Sequence, residues 1–343
     1  MGLVGYGFAG KVFHAPLIGA VEGLRLTHVA SSDAAKVQRD LPQVQAVANA
    51  QALVALPEID LVVVATPNQS HFTLAQQALL AGKHVVVDKP FVVHAPDGEE
   101  LARLAAARGK VLSVFHNRRW DNDFLTLREV LRSGLLGAMH SYEAHFDRFR
   151  PQVHAERWRE QNQPGAGVLY DLGSHLIDQA LCLFGRPQTV WAQTAAQRPG
   201  AKSVDSFRLV LGYRERTAVL RAASLVRNPG PRYQVHGTRG SFIKYGLDPQ
   251  EDALRQGTRP GVPGWGEETA ALFGELAFDS GTLHVSGKVE SLPGCYQAYY
   301  DALHAAIAEG KAPPVSAREA IDVIRVIEAA MKSAALGTTI DLT

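Results

Sequence analysis

Leu61-Val62-Val63-Val64-Ala65 narrows the folds open to this chain more than any other stretch. Five consecutive apolar residues, bounded by Asp60 and by Thr66-Pro67-Asn68, read as a strand covered on both faces rather than one that is half solvated. Strands of that kind sit in parallel sheets, whose pairing needs crossover helices. The neighbouring sequence supplies them. Gly2-Leu3-Val4 is a stub of strand, Leu26–Ala30 a second strand and Ala34–Leu41 a helix. His71–Ala81 is a helix closed by Gly82, His84–Val87 a buried strand, Asp97–Arg108 a helix and Val111–Phe115 a last strand. This alternation predicts a doubly wound parallel sheet.

Directly after the first strand comes Gly5-Tyr6-Gly7-Phe8-Ala9-Gly10, the pattern G-x-G-x-x-G. Gly5 permits a tight turn, Gly7 lets backbone approach a pyrophosphate, and Gly10 allows close helix–strand packing. A helix N-terminus behind the loop then offers N–H groups to phosphate. Only two apolar residues precede Gly5, against ~5–6 in an ordinary strand, so a few residues are expected to be missing ahead of Met1. At the end of the second strand, Ser31, Ser32 and Lys36 suit a ribose 2′-phosphate, which favours NADP. Asp33 is an acid that would suit NAD, and Ser31–Asp33 can equally cap the next helix. Asp88-Lys89-Pro90 stands at the carboxyl end of a strand, where such sheets place their chemistry, although a surface lysine is locally the commoner case.

Past His116-Asn117-Arg118-Arg119-Trp120-Asp121 the pattern changes. Asp123–Ser133 reads as a helix, Met139–Arg148 as a strand, and Arg148–Pro164 as a long polar loop carrying Arg148, Arg150, Arg157 and Arg159. Leu169–Gln179 then reads as a helix placing Asp171, His175 and Asp178 at i, i+4 and i+7, on one face. Leu172, Leu176, Ile177, Ala180, Leu181 and Phe184 would pack inward, with Cys182 in the core. An imidazole one turn from a carboxylate can serve in proton transfer near neutral pH, and a polar helix face is the plainer alternative. Runs at Thr189–Gln197, Asp205–Tyr213, Thr217–Leu225, Tyr233–His236 and Ser241–Tyr245 predict an antiparallel sheet. Residues 246–292 read as irregular, and Tyr296–Glu309 and Ala317–Ala335 as helices. The boundary falls between a 1–117 dinucleotide-binding domain and a 118–343 domain for substrate binding and oligomerisation.

A length of 343 residues accommodates two such domains. A net charge of +1 without a basic tract argues against nucleic acid and anionic membrane surfaces as partners. Two cysteines, Cys182 and Cys295, give neither a disulfide framework nor metal-ligand spacing. No signal peptide or spanning segment is read, so a cytoplasmic protein is expected. His14, His28, His84 and His236 read as packing or surface residues, and no metal site is expected.

Four motifs in this order and spacing resemble the Gfo/Idh/MocA family of NAD(P)-dependent sugar and polyol oxidoreductases. They are Gly5–Gly10, Thr66-Pro67-Asn68 with His71, Asp88-Lys89-Pro90, and Asp171-x-x-x-His175-x-x-Asp178. The stretches Val114–Asp121, Arg157–Glu160 and Tyr233–Asp252 resemble its NADP-dependent scyllo-inositol dehydrogenase branch. The resemblance implies a Rossmann domain followed by an α/β domain with an open, mainly antiparallel sheet. It implies Lys89 and His175 as the catalytic pair with Asp171 beside them. Gly5, Gly7, Phe8, Ala9, Gly10, Ser31, Ser32, Lys36, Thr66, Pro67, Asn68, His71, Lys89 and Pro90 would hold NADP, or alternatively NAD. Asn117, Arg118, Arg157, Asp171 and His175 would meet a polyol or sugar substrate. Two positions depart from the pattern: Asp88 replaces the usual Glu, and Asp33 stands where the inositol-type NADP enzyme has Arg. A homodimer or homotetramer is expected. Alternative functions on this frame are an NAD-dependent glycoside hydrolase working by transient oxidation and a non-catalytic NADP-binding redox sensor.

Overall fold

Leu61–Val64 is the fourth strand, β4, of a six-stranded sheet and is buried along its whole length. The computed structural model describes residues 1–154 and 156–342. The other strands are β1 (Gly2–Val4), β2 (His28–Ala30), β3 (Gln45–Val47), β5 (His84–Asp88) and β6 (Leu112–Phe115). Their order is β3-β2-β1-β4-β5-β6, and every neighbouring pair is parallel. The crossovers include a π-helical turn Gly10–His14 leading into α1 (Ala15–Ile18), α2 (Ala34–Asp40), α3 (Ala50–Val54), α4 (His71–Leu80) and α5 (Ala95–Ala107). The strand β3 and helix α3 are absent from the expectation above. β3 is three residues long, at the sheet edge and partly solvated, so it shows no buried apolar run.

The chain forms two compact units that are interleaved in sequence. The first comprises residues 1–120, 250–265 and 295–324, so the 117/118 boundary marks only the first crossing of the chain. Within it, α8 (Gln250–Arg255) packs on the Gly10–His14 turn and α9 (Gln297–Glu309) on α1. Tyr299 Oη donates to Ser113 Oγ on β6 (2.8 Å), and Ser113 Oγ donates to the Val315 carbonyl (2.8 Å). An antiparallel bridge between Ser113 and Ser316 gives the β6 edge a partner, which protects it from adding another strand.

The second unit, residues 121–249, 266–294 and 325–343, holds a nine-stranded sheet. Its strands are β7 (Met139–His145), β8 (Thr189–Ala195), β9 (Ser206–Gly212), β10 (Thr217–Ala223), β11 (Tyr233–Gly237), β12 (Gly240–Lys244), β13 (Gly274–Ser280), β14 (Leu283–Val289) and β15 (Ile340–Asp341). All neighbours are antiparallel except β7 and β10. The helices α6 (Asn122–Arg132) and α7 (Ser174–Phe184) pack on this sheet, and the helix α10 (Ala317–Leu336) runs near the end of the chain. Residues 246–292 are not irregular throughout: they contain α8 and the β13–β14 hairpin. Nearly every residue of β14 is solvated, so no inside–outside alternation marks it.

The central helix also differs from expectation. Leu169–Gly173 is a π-helical turn, and the α-helix begins at Ser174. Gly173 permits close approach to the sheet, because a Cβ there would stand 3.3 Å from the Phe207 ring on β9. Leu172 through Ala180 are all buried, so the segment is enclosed rather than amphipathic. Towards its end the segment emerges: Leu181 and Phe184 are half-buried, and Cys182 is exposed instead of packed in a core. Among the described residues no helix is long and apolar enough to cross a membrane.

Candidate active site

In the first unit the glycine loop forms one wall of a groove of about 450 Å³. Gly5, Gly7, Ser31, Ser32, Lys36, Thr66 and Pro67 all line it, together with Tyr6, Asp33 and Asn49. Gly5 has φ +97°, and a Cβ there would meet the Ala65 carbonyl at 2.5 Å. At Gly10 a Cβ would meet the Gly5 carbonyl at 2.1 Å, whereas at Gly7 it would meet nothing within 4 Å. Two glycines therefore serve packing, and the third leaves open space in the cradle. That division fits a dinucleotide whose phosphates lie against backbone.

The distinction separates two variants. Gly10→Ala overfills a closed contact and is expected to lower unfolding stability by about 1–3 kcal/mol. Gly7→Ala is expected to leave stability unchanged while weakening dinucleotide binding. Urea unfolding and cofactor fluorescence titration check both; equal stability loss in the two variants would contradict the assignment.

Asp33 caps α2: its Oδ1 accepts the Lys36 N–H at 2.9 Å, and its own N–H bonds to Ser31 Oγ at 3.1 Å. The capping role weighed from sequence is therefore present. Lys36 reaches across to the glycine loop, its Nζ donating to the Tyr6 carbonyl (3.0 Å) and lying 5.5 Å from the Tyr6 ring centre. Burial, helped by the Asp40 charge, pushes the Tyr6 phenol up to about 12, so it stays protonated near neutrality. Asn49, unmarked from sequence, caps α3 by accepting the Ala52 N–H at 2.9 Å.

Lys89 follows β5, and its amide N–H donates to the Asp88 carboxylate at 2.8 Å. The same Asp88 oxygen lies 3.9 Å from His14 Nε2, and His14 Nδ1 pairs with Tyr300 Oη at 2.6 Å. Burial pushes His14 down to about 4, against the opposing pull of Asp88, so the ring is neutral near pH 7. His71 ties two loops together. Its Nδ1 is 2.9 Å from the Pro90 carbonyl and its Nε2 2.9 Å from the Thr66 carbonyl. Burial lowers its pKa, and Asp88 works against that shift. Asn68 is buried in the turn Asn68–Ser70. Phe8 is exposed, and the Arg255 guanidinium lies 5.5 Å from its ring centre. Phe8, Ala9, Gly10, Asn68, His71, Lys89 and Pro90 lie outside the groove lining.

Asn117 and Arg118 are buried in a 3₁₀ turn of the same unit. Arg118 Nη2 donates to Glu251 Oε2 at 2.6 Å, and Arg119 Nη1 to Glu319 Oε1 at 2.8 Å. Both acids lie more than a hundred residues away in sequence, so no local pattern marks them as partners.

In the second unit Asp171 stands in the π-helical turn and His175 in the first turn of α7. His175 is 5 % exposed and Asp178 2 %. Charged and titratable groups are rarely fully buried unless paired, so both side chains belong to the packed interior of the unit. Arg157 lies on the surface with its Nε 4.0 Å from Glu156. Arg159, two residues on, reaches Asp171 instead: its Nε is 3.5 Å from Asp171 Oδ1.

These features describe a Rossmann-type parallel sheet with a glycine-loop groove, and a second α/β unit in which Asp171 and His175 stand four residues apart. Residues 1–116 match the NAD-binding Rossmann fold of an oxidoreductase family, and residues 128–342 match that family's C-terminal alpha/beta domain. The chain belongs to the Gfo/Idh/MocA family. It is 48 % identical to the uncharacterized oxidoreductase YdgJ of Escherichia coli K12, over 97 % of this chain and 96 % of that protein. It is 44 % identical to the scyllo-inositol 2-dehydrogenase (NADP(+)) IolW of Bacillus subtilis 168, over 100 % of this chain and 95 % of that one. A solved structure of YvaA from Bacillus subtilis superposes with a TM-score of 0.97 at 44 % identity, covering 100 % and 97 % of the two chains.

Proposed function

We propose that the protein transfers hydride reversibly between NADP and a secondary carbinol carbon of a cyclic polyol or sugar, of the inositol type. The observation that carries this reading is the buried His175 with Asp171 one turn before it, in a chain that also presents Lys89 after a strand of a dinucleotide-binding sheet. Similarity to a protein named as an NADP-dependent scyllo-inositol dehydrogenase supports the substrate class.

Gly5, Gly7, Ser31, Ser32, Lys36, Thr66 and Pro67 would hold the dinucleotide. The Lys36 ammonium and the two serine hydroxyls suit a 2′-phosphate, and Asp33 already spends one carboxylate oxygen on α2. A nicotinamide dinucleotide held there would supply the acceptor for the hydride that leaves the carbinol carbon. In oxidation the substrate O–H proton passes to His175 as the carbon–oxygen double bond forms. Lys89 stabilises the negative charge developing on that oxygen, and Asp171 orients the substrate beside His175. Reduction runs the same steps backwards, with His175 returning the proton.

The test is absorbance at the reduced-nicotinamide band, with NADP and NAD offered separately against inositols and aldoses. Reduction of NADP by scyllo- or myo-inositol, with NAD much poorer, is the expected result. An NAD preference would make Asp33 the ribose ligand. Cofactor binding without net reduction, but with cleavage of a glycoside, would replace this reading with transient oxidation.

A further inference from the structure

We propose that Arg159 is a substrate-orienting residue that recognises the oxygen vicinal to the reacting carbon, so that the site selects vicinal diols and α-hydroxyketones. This rests on the polyol reading above.

The first support is how firmly Arg159 is placed. Its carbonyl accepts the Gly167 N–H (2.9 Å) and the Ser203 hydroxyl (3.1 Å). Gly167 in turn accepts the Asp171 N–H through its own carbonyl at 3.1 Å. One residue thus fixes the backbone of both members of the Arg159–Asp171 ion pair. Gly167 is itself constrained, with φ +84° and the Val204 carbonyl 2.7 Å from where a Cβ would stand. Behind the loop, buried Arg198 donates to Asp205 (2.9 Å) and to the Gln152 carbonyl (2.9 Å), and lies 3.4 Å from Glu160. A polar loop held this way is preorganised rather than merely solvated.

The second support is what the guanidinium leaves available. Nε lies 3.5 Å from Asp171 Oδ1, and the guanidinium carbon lies over the Trp158 ring, 4.5 Å from its centre. The side chain is 44 % exposed and meets no further acceptor among the described residues. Its remaining N–H groups can therefore donate to a ligand oxygen. A fork of fixed donors beside the carboxylate that orients the reacting group matches two adjacent oxygens on one ring. The cation also balances Asp171 when a neutral substrate displaces water there.

The experiment compares the unsubstituted protein with Arg159→Gln and Arg159→Lys. The readouts are kcat and KM for scyllo-inositol oxidation, NADPH-dependent reduction of 2-hydroxycyclohexanone and of cyclohexanone, and NADP affinity by fluorescence. Loss of a charge-assisted donor is expected to lower kcat/KM about 10–100-fold for scyllo-inositol and the hydroxyketone, mostly through KM. Cyclohexanone, which lacks the vicinal oxygen, should change less than about threefold, NADP affinity should hold, and Arg159→Lys should recover part of the loss. Equal losses on both ketones, or no loss on the hydroxyketone, overturn the assignment while inositol turnover by the unsubstituted protein keeps the polyol reading. Failure of the unsubstituted protein to act on any of the three overturns that reading, and this inference with it.

Discussion

Replacing His175 with alanine is expected to reduce turnover about 10²–10⁴-fold, the span over which a positioned general acid–base usually contributes. Dinucleotide affinity should hold, because the groove of the glycine loop belongs to the first unit and His175 to the second. His175 lies in a helix enclosed from Leu172 to Ala180, so solvent water is poorly placed to take over the proton transfer. His175→Gln keeps the hydrogen bonding and volume but cannot change its protonation near neutrality. It should fail nearly as badly as alanine, whereas a merely structural role would be largely restored. Steady-state rates on the polyol, paired with cofactor titration and a melting curve, read this out. A kcat within about threefold of the unsubstituted protein would remove His175 from the proton-transfer role.

Lys89→Ala should lose about 10²–10³-fold in kcat, comparable to removing one donor from an oxyanion site. The lysine follows β5 on a short turn held by buried groups: Asp88 accepts the Lys89 amide, and His71 meets the Pro90 carbonyl. Such anchoring puts a flexible side chain on a rigid base, which limits the entropy lost when the ammonium meets a developing alkoxide. Added alkylammonium should restore part of the rate in Lys89→Ala and nothing in His175→Ala, because only the first variant lacks a charge. If the two residues serve one step, the double variant should lose less than the product of the single losses. Fully multiplicative losses, or no amine rescue, would assign Lys89 to binding instead of to the reacting oxygen.

Legibility in the sequence followed the range of the forces involved. Val62–Val64 and the Gly5–Gly10 loop were readable because periodicity and steric permission act within a few residues. Two of the elements missed, β3 and β14, are solvated edges whose pairing rests on main-chain hydrogen bonds that side-chain patterns do not encode. Cys182 was misplaced because an amphipathic reading assigns burial by face, and α7 is buried by position along its axis instead. Of the four arginines in the 148–164 loop the family resemblance singled out Arg157; Arg159 stands apart only once Gly167 brings its backbone beside Asp171.

The sequence by itself determined the parallel sheet, the dinucleotide loop, the lysine after β5 and the acid–imidazole spacing. All of these arise from local sterics, hydrophobic period and helical geometry. Only the tertiary structure decided that residues 250–265 and 295–324 join the first unit, that Arg118 pairs with Glu251, and that Arg159 rather than Arg157 meets Asp171. Those outcomes depend on which distant groups the closed loops bring within a few ångströms. An ion pair between residues far apart leaves no periodic trace in the chain that makes it.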